Sequence, residues 1–301
     1  MLQGYVCIIL ASVAFGLSPV CATQMMAFGM DAQNTLVWTS GFAALGAGAV
    51  ILIRRDSLKV TGKQFRQLLL FCGGGYGLTA LLLTHSYRFL PIGLATMFHF
   101  IYPLIVTIIM ARMNKMRIPL LRKIGILTAL LGLALTLDLS GKTSLPGVLL
   151  SLGSGVTYAV YVVANRQAAY KELSTVVVVF YTALFNTICF SLLQLMVGKI
   201  VFPPSRLVWL LAVGGGLFTR LLALLTLTQA VRRIGASNAA IGNMLEPLTS
   251  LVAGAVIYSD RIPPHSWAGC VLILSAILLI VLHEKHEKYL QNSFLRANNF
   301  P

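Results

Sequence analysis

Two side chains carry a formal charge well inside apolar stretches long enough to cross a bilayer: Arg220 and Glu246. An arginine at the centre of a spanning helix costs about 2.5–3.5 kcal/mol on insertion scales, so each charge needs a reason. One reason is a mutual, structural ion pair. Another is a solute. The planar fork of Arg220 suits a carboxylate or phosphate, and Glu246 would then bind an ammonium group or couple a proton. A third is that Arg220 snorkels, or that Glu246 only ties up backbone freed by the helix breaker Pro247. A zwitterion would satisfy both charges, which points toward amino acids. His85 and His99 are candidates for a proton relay, with a hydrogen-bonded structural histidine as the plainer reading of each.

Helical spacing extends this set. Ser151, Ser154, Tyr158, Tyr161 and Asn165 fall at i, i+3, i+7, i+10 and i+14, one face of a helix. Asn243, Glu246 and Ser250 share a face by the same rule, and their counterparts one repeat earlier are His99, Tyr102 and Val106. Polar stripes on spanning helices face protein or water, because lipid offers them no partners. The bland reading is interhelical glue, worth about 0.6 kcal/mol per contact. For the serines glue is the expected role. The expected substrate-binding set is Tyr158, Tyr161, Asn165, Arg220, Asn243, His99 and Tyr102. Glu246 and His85 are the expected coupling groups.

The elements that must position these residues are read from composition. The chain has 301 residues, 57% hydrophobic and 10% charged. Soluble domains carry about 25% charged residues, so this is an integral membrane protein. Ten spans of about bilayer length are expected, at 3–28, 34–53, 67–87, 92–111, 122–138, 146–165, 175–197, 207–230, 236–258 and 265–282. Breaks fall at polar, proline and glycine positions such as Asp31 to Asn34, Arg112 to Pro119, Pro203-Pro204 and Asp260 to Pro264. The first span lacks a basic leader and a small-residue cleavage site, which favours a retained helix over a signal peptide.

The net charge of +15 lies in loops between apolar spans, so nucleic-acid binding is not expected. The five cysteines are scattered singly inside apolar spans, without CxxC or a Cys/His cluster, so neither disulfides nor a metal site nor a cofactor are expected. Gly73-Gly74-Gly75 and Gly214-Gly215-Gly216 lack a following Lys-Ser/Thr, which argues against a phosphate cradle. Close helix approach or bending is the expected use. Gradient-driven carriage is simpler than ATP-driven pumping.

The chain also repeats itself. A shift of 144 places Leu90 to Pro119 beneath Ile234 to Pro263, aligning Tyr102-Pro103 with Glu246-Pro247 and Arg117-Ile118-Pro119 with Arg261-Ile262-Pro263. A shift of 143 aligns Gly4, Val13 and Gln24 with Gly147, Val156 and Gln167. With the N-terminus inside, 17 of the 23 basic residues fall on inner loops and the tail and five on outer loops, with Arg220 inside a span. That bias puts both termini in the cytoplasm. Five spans per half make the second half enter from the opposite side, the inverted-repeat plan of secondary transporters.

Two five-helix halves, Glu246-Pro247 in the ninth span, the Asp260-Arg261-Ile262 turn and Pro263 followed by Trp267 and Gly269 resemble the drug/metabolite transporter superfamily, specifically its EamA-type members. The resemblance implies a ten-helix bundle around a central cavity that moves small metabolites, often outward. The chain departs from the family's frequent Gly-Glu before the turns after the fourth and ninth helices, reading Asn114-Lys115-Met116 and Ser259-Asp260. No role is carried over there.

The expected fold is thus all-α, with repeats at 1–141 and 142–284 and a tail at 285–301. The expected function is secondary transport, as an exporter, of an amino acid or related organic ion, by a monomer in the cell inner membrane. The partners are the substrate, the lipid bilayer and a proton as coupling ion. Broad amphiphile efflux is a variant. The competing class is an intramembrane enzyme using Glu246 with His85 or His99 as acid and base.

Overall fold

The computed structural model describes residues 2–90, 92–115, 117–135, 144–258, 264–265, 267–277 and 279. Every regular element among them is helical. Six helices are long and apolar enough to cross a membrane: α1 (Leu2–Ala27), α2 (Ala32–Arg54), α3 (Gly62–Ser86), α7 (Leu145–Gln167), α8 (Thr175–Val197) and α9 (Arg206–Ile234). Between and after them lie α4 (Ile92–His99), α5 (Tyr102–Met113), α6 (Leu120–Leu135), α10 (Ala236–Gly242), α11 (Glu246–Tyr258) and α12 (Trp267–Ile277). The expected repeat boundary at 141/142, the Asp260-Arg261-Ile262 turn and the tail lie outside the described residues.

Local chemistry sets the ends. Asp31 caps α2 by accepting from the Asn34 backbone, and Thr61 caps α3 in a reciprocal box with Gln64. Pro146 occupies the first turn of α7, where a missing N–H costs nothing. Leucines and isoleucines such as Leu45, Ile53, Leu70 and Leu210 stay exposed around the bundle, as a lipid-facing surface requires. Trp38, Phe42, Phe202 and Trp209 cluster at one end, where the Trp38 indole donates to the Val201 carbonyl at 2.8 Å. Such amphipathic rings suit a membrane–water boundary.

Two of the expected spans are not continuous. The segment 92–111 breaks at Phe100-Ile101 into α4 and α5, and 236–258 breaks at Asn243–Leu245, a 3₁₀ turn between α10 and α11. The cause is the same in both: Pro103 and Pro247 lack the N–H and crowd the preceding turn, so each starts a new helix. The two glycine triplets also fall at irregular turns. Residues Leu68–Tyr76 of α3 and Gly215–Leu222 of α9 are π-helical, a form that recurs at functional sites.

Close approach explains part of the second triplet. A Cβ on Gly216 would lie 2.5 Å from Phe42 Cβ and 2.8 Å from the Thr39 carbonyl, and one on Gly215 would lie 2.8 Å from Cys21 Sγ. Helices α1 and α2 can therefore press against α9 there. Gly214 faces open space.

Candidate functional site

The break at Pro247 leaves backbone carbonyls at the end of α10 without helical partners. Side chains from other helices take them up. The Tyr102 hydroxyl donates to the Ala240 carbonyl at 3.4 Å, and Ser12 Oγ lies 3.4 Å from the Gly242 carbonyl. Asn243 then joins the three groups into one network. Its Nδ2 donates to the Tyr102 hydroxyl at 3.0 Å and to Glu246 Oε2 at 2.8 Å, while its Oδ1 accepts from Ser12 Oγ at 3.1 Å. Asn243, Tyr102 and Ser12 are completely buried. Ser250 closes the other side of α11 by donating to the Gly16 carbonyl at 2.8 Å.

Glu246 thus holds one hydrogen bond from Asn243 and also borders a cavity of about 120 Å³. Arg220 borders the same cavity from α9. Its Nε donates to Thr39 Oγ1 at 2.9 Å, and Thr39 donates in turn to the Thr35 carbonyl at 2.7 Å. Thr39 is therefore held as an acceptor toward the guanidinium. Among the described residues no ion pair joins Arg220 to Glu246, so the structural-pair reading does not hold in this conformation. Both charges have neutral partners, and both face one cavity.

The wall between them is aromatic and hydroxylic. Tyr158, Tyr76, Tyr87 and His99 line it, with Thr79, Thr84 and Thr219. The His99 ring packs 5.3 Å from both Tyr102 and Tyr158, centroid to centroid. Its Nδ1 lies 2.9 Å from Ser154 Oγ, which donates its single proton to the Ser151 carbonyl at 2.6 Å. Nδ1 must then carry hydrogen and donate, which leaves Nε2 as the acceptor of a neutral ring. Phe15, Met26, Leu36 and Leu83 supply the apolar remainder, and Cys21 sits among them, its thiol donating to the Leu211 carbonyl at 3.1 Å.

The nine residues expected at the site separate into three groups. Glu246, Arg220, Tyr158 and His99 line the cavity. Asn243 and Tyr102 stand one layer behind and hold Glu246. Tyr161, Asn165 and His85 are not at its wall. Tyr161 packs 6.0 Å behind Tyr158, Asn165 lies one turn beyond with its Nδ2 donating to the Tyr161 carbonyl at 3.2 Å, and His85 folds back onto its own helix, its Nδ1 donating to the Leu81 carbonyl at 2.9 Å. Ser154 acts as glue, tying α7 to α4 through His99, whereas the Ser151 hydroxyl has no hydrogen-bond partner among the described residues.

Thr39, Tyr76, Tyr87 and Ser12 escaped the sequence reading. The i, i+4 pair Thr35 and Thr39 was a signal available in α2. Threonine is common enough in apolar helices to leave it inconspicuous.

The model of the EamA-like transporter family matches residues 2–138 and again 145–282 of this chain. An uncharacterized transporter of Synechocystis sp. is 29% identical over 218 residues, which make up 69% of this chain. The chain spans 64% of that relative's length. A protein of known crystal structure shares the fold with a TM-score of 0.77 at 19% identity, covering 93% of this chain and 96% of the other.

Proposed function

The chain belongs to the EamA-like transporter family, and from that premise we propose that it is a secondary transporter exporting a small zwitterionic or anionic metabolite, an amino acid or related organic ion. The observation that carries this reading is one cavity faced by Arg220 and Glu246, each held by a neutral neighbour and neither spent on the other. A guanidinium and a carboxylate kept apart in one partly aromatic cavity match a carboxylate at one end of a solute and an ammonium at the other. The alternative roles of proton coupling and ammonium binding at Glu246 are both compatible with its position. The cavity's ~120 Å³ is below the roughly 300–1,000 Å³ of sites for drug-sized ligands, which favours a small metabolite over broad amphiphile efflux.

The proposal includes ten spans as two inverted repeats, 1–141 and 142–284, with a tail at 285–301 and both termini cytoplasmic. The twofold match of the family supports two halves. So does the meeting of the two proline breaks, where Tyr102 of one contacts Asn243 and Ala240 of the other. Broken helices that meet at mid-membrane are the usual site architecture of inverted-repeat carriers. In this orientation the cavity lies toward the outer side, near the α1–α2 turn. We take the monomer as the working unit and the proton as coupling ion. The enzymatic alternative is weaker, because His85 stands away from Glu246 and the His99 Nδ1 proton is engaged by Ser154.

Uptake and counterflow in proteoliposomes test the reading. Labelled amino acids and organic anions are supplied with and without a pH gradient, to wild type and to Glu246→Gln. Transport of a panel member that follows the gradient in wild type and ignores it in the mutant is expected. No flux for any member would overturn the substrate class.

A further inference from the structure

A second buried polar cluster lies in the half of the bundle away from the central cavity. The rings of Tyr76, Tyr158 and Tyr161, 5.1–6.4 Å apart, wall it off. Behind them, the side chains of Tyr161, Asn165, Thr228 and Tyr170 are completely enclosed. The Tyr161 hydroxyl adjoins Asn165 and Thr228, and Tyr170 adjoins Cys72. Arg232, one turn after Thr228 on α9, lies near both tyrosines.

The arginine is the informative member. Its Nη1 donates to the Leu173 carbonyl at 2.7 Å and to Thr175 Oγ1 at 3.3 Å, which anchors the group. Its Nε and Nη2 are buried with no partner. Those two nitrogens form one edge of the guanidinium, two parallel donors that match the two oxygens of an oxyanion. Buried donors normally find partners, and charged ones left unmade are the costliest to leave so. An anchored, buried, unused fork beside a group of enclosed hydroxyls has the composition of a binding site.

We propose that this cluster is an inner oxyanion site, at which Nε and Nη2 of Arg232 hold the carboxylate or equivalent group of the transported solute before it passes the tyrosine wall. Arg220 lies 12 residues back on the same helix, about 18 Å along the axis. One helix thus presents two guanidinium groups on either side of the wall, an inner one for loading and a central one for carriage. This assignment rests on the transporter reading above.

Two native cysteines report on the two sites, Cys72 at the inner cluster and Cys21 at the central cavity. Full-length chains keeping one or the other as the single cysteine are reconstituted and treated, from each membrane face separately, with sulfonatoethyl or trimethylammonioethyl methanethiosulfonate. Cys72 is expected to react from the inner face only, at least tenfold faster with the anionic reagent. Arg232→Gln is expected to abolish that preference. Arg232→Lys keeps the charge but loses the fork, and is expected to reduce it severalfold, so the test stands even if the glutamine variant folds poorly. Inner-face labelling of Cys21 without any labelling of Cys72 would overturn the inner site alone. Failure to reach either cysteine from the inner face would overturn alternating access and the inner site with it. Reaction of Cys72 without charge preference would overturn the role of Arg232.

Discussion

Arg220 and Glu246 face one cavity from α9 and α11, yet each is held by a neutral side chain, Thr39 and Asn243, and not by the other. An ion pair would have neutralised the site and left little to attract a charged solute. Held apart, the two charges stay available, and the bundle carries their desolvation cost through the hydrogen bonds at their backs.

Replacing Glu246 by Gln keeps the shape and the hydrogen bond with Asn243 while removing the titratable group. Accumulation driven by a pH gradient should fall by an order of magnitude or more. Counterflow, which needs no net proton movement, should persist. Paired assays in the same vesicles check this, and equal loss of both activities would assign Glu246 to substrate binding instead.

Thr39→Val removes the acceptor that orients Arg220 at nearly constant volume. A hydrogen bond to a charged group contributes about 1.5–3 kcal/mol, so the KM for an anionic or zwitterionic substrate should rise roughly tenfold or more with little change in maximal rate. Arg220→Lys should be worse, because an ammonium lacks the planar fork. Concentration series on the three proteins separate the two effects.

Asn243→Ala should act mainly on stability. It removes one hydrogen bond each from Tyr102, Ser12 and Glu246 at once. Each lost hydrogen bond costs about 0.5–1.5 kcal/mol, and the one to the Glu246 carboxylate about 1.5–3 kcal/mol. A clear drop in thermal midpoint in detergent is expected, and an unchanged midpoint would mean the network relaxes onto new partners.

The glycine triplet of α9 offers an internal control. Gly216→Ala puts a methyl group against Phe42 and the Thr39 backbone and should destabilise the protein by about 1–3 kcal/mol. Gly214→Ala meets nothing within 4 Å and should be neutral or slightly stabilising, since alanine favours a helix. Gly155→Ala, whose Cβ would lie 2.6 Å from the His99 carbonyl, should disturb the cavity as well as the fold. Thermal unfolding of the three variants ranks them.

Hydropathy and helical periodicity are local properties, and what depends on them was legible in the sequence alone. The membrane class, the long apolar helices and the helix breaker Pro247 belong there, as does the polar face of α7. Periodicity tells which residues share a face but not how deep each lies along it. Tyr158 and Asn165 therefore looked equivalent, although only Tyr158 reaches the cavity wall. Partnerships across the chain were out of reach for a different reason. Arg220 meets Thr39 from 181 residues away, and Ser12 meets Asn243 from 231. No local pattern encodes which helices become neighbours. Packing also decided that the two buried charges stay apart and that Arg232, apparently one more basic residue at a helix end, buries an unused edge. Sequence placed charges in the membrane, and tertiary structure determined what each of them faces.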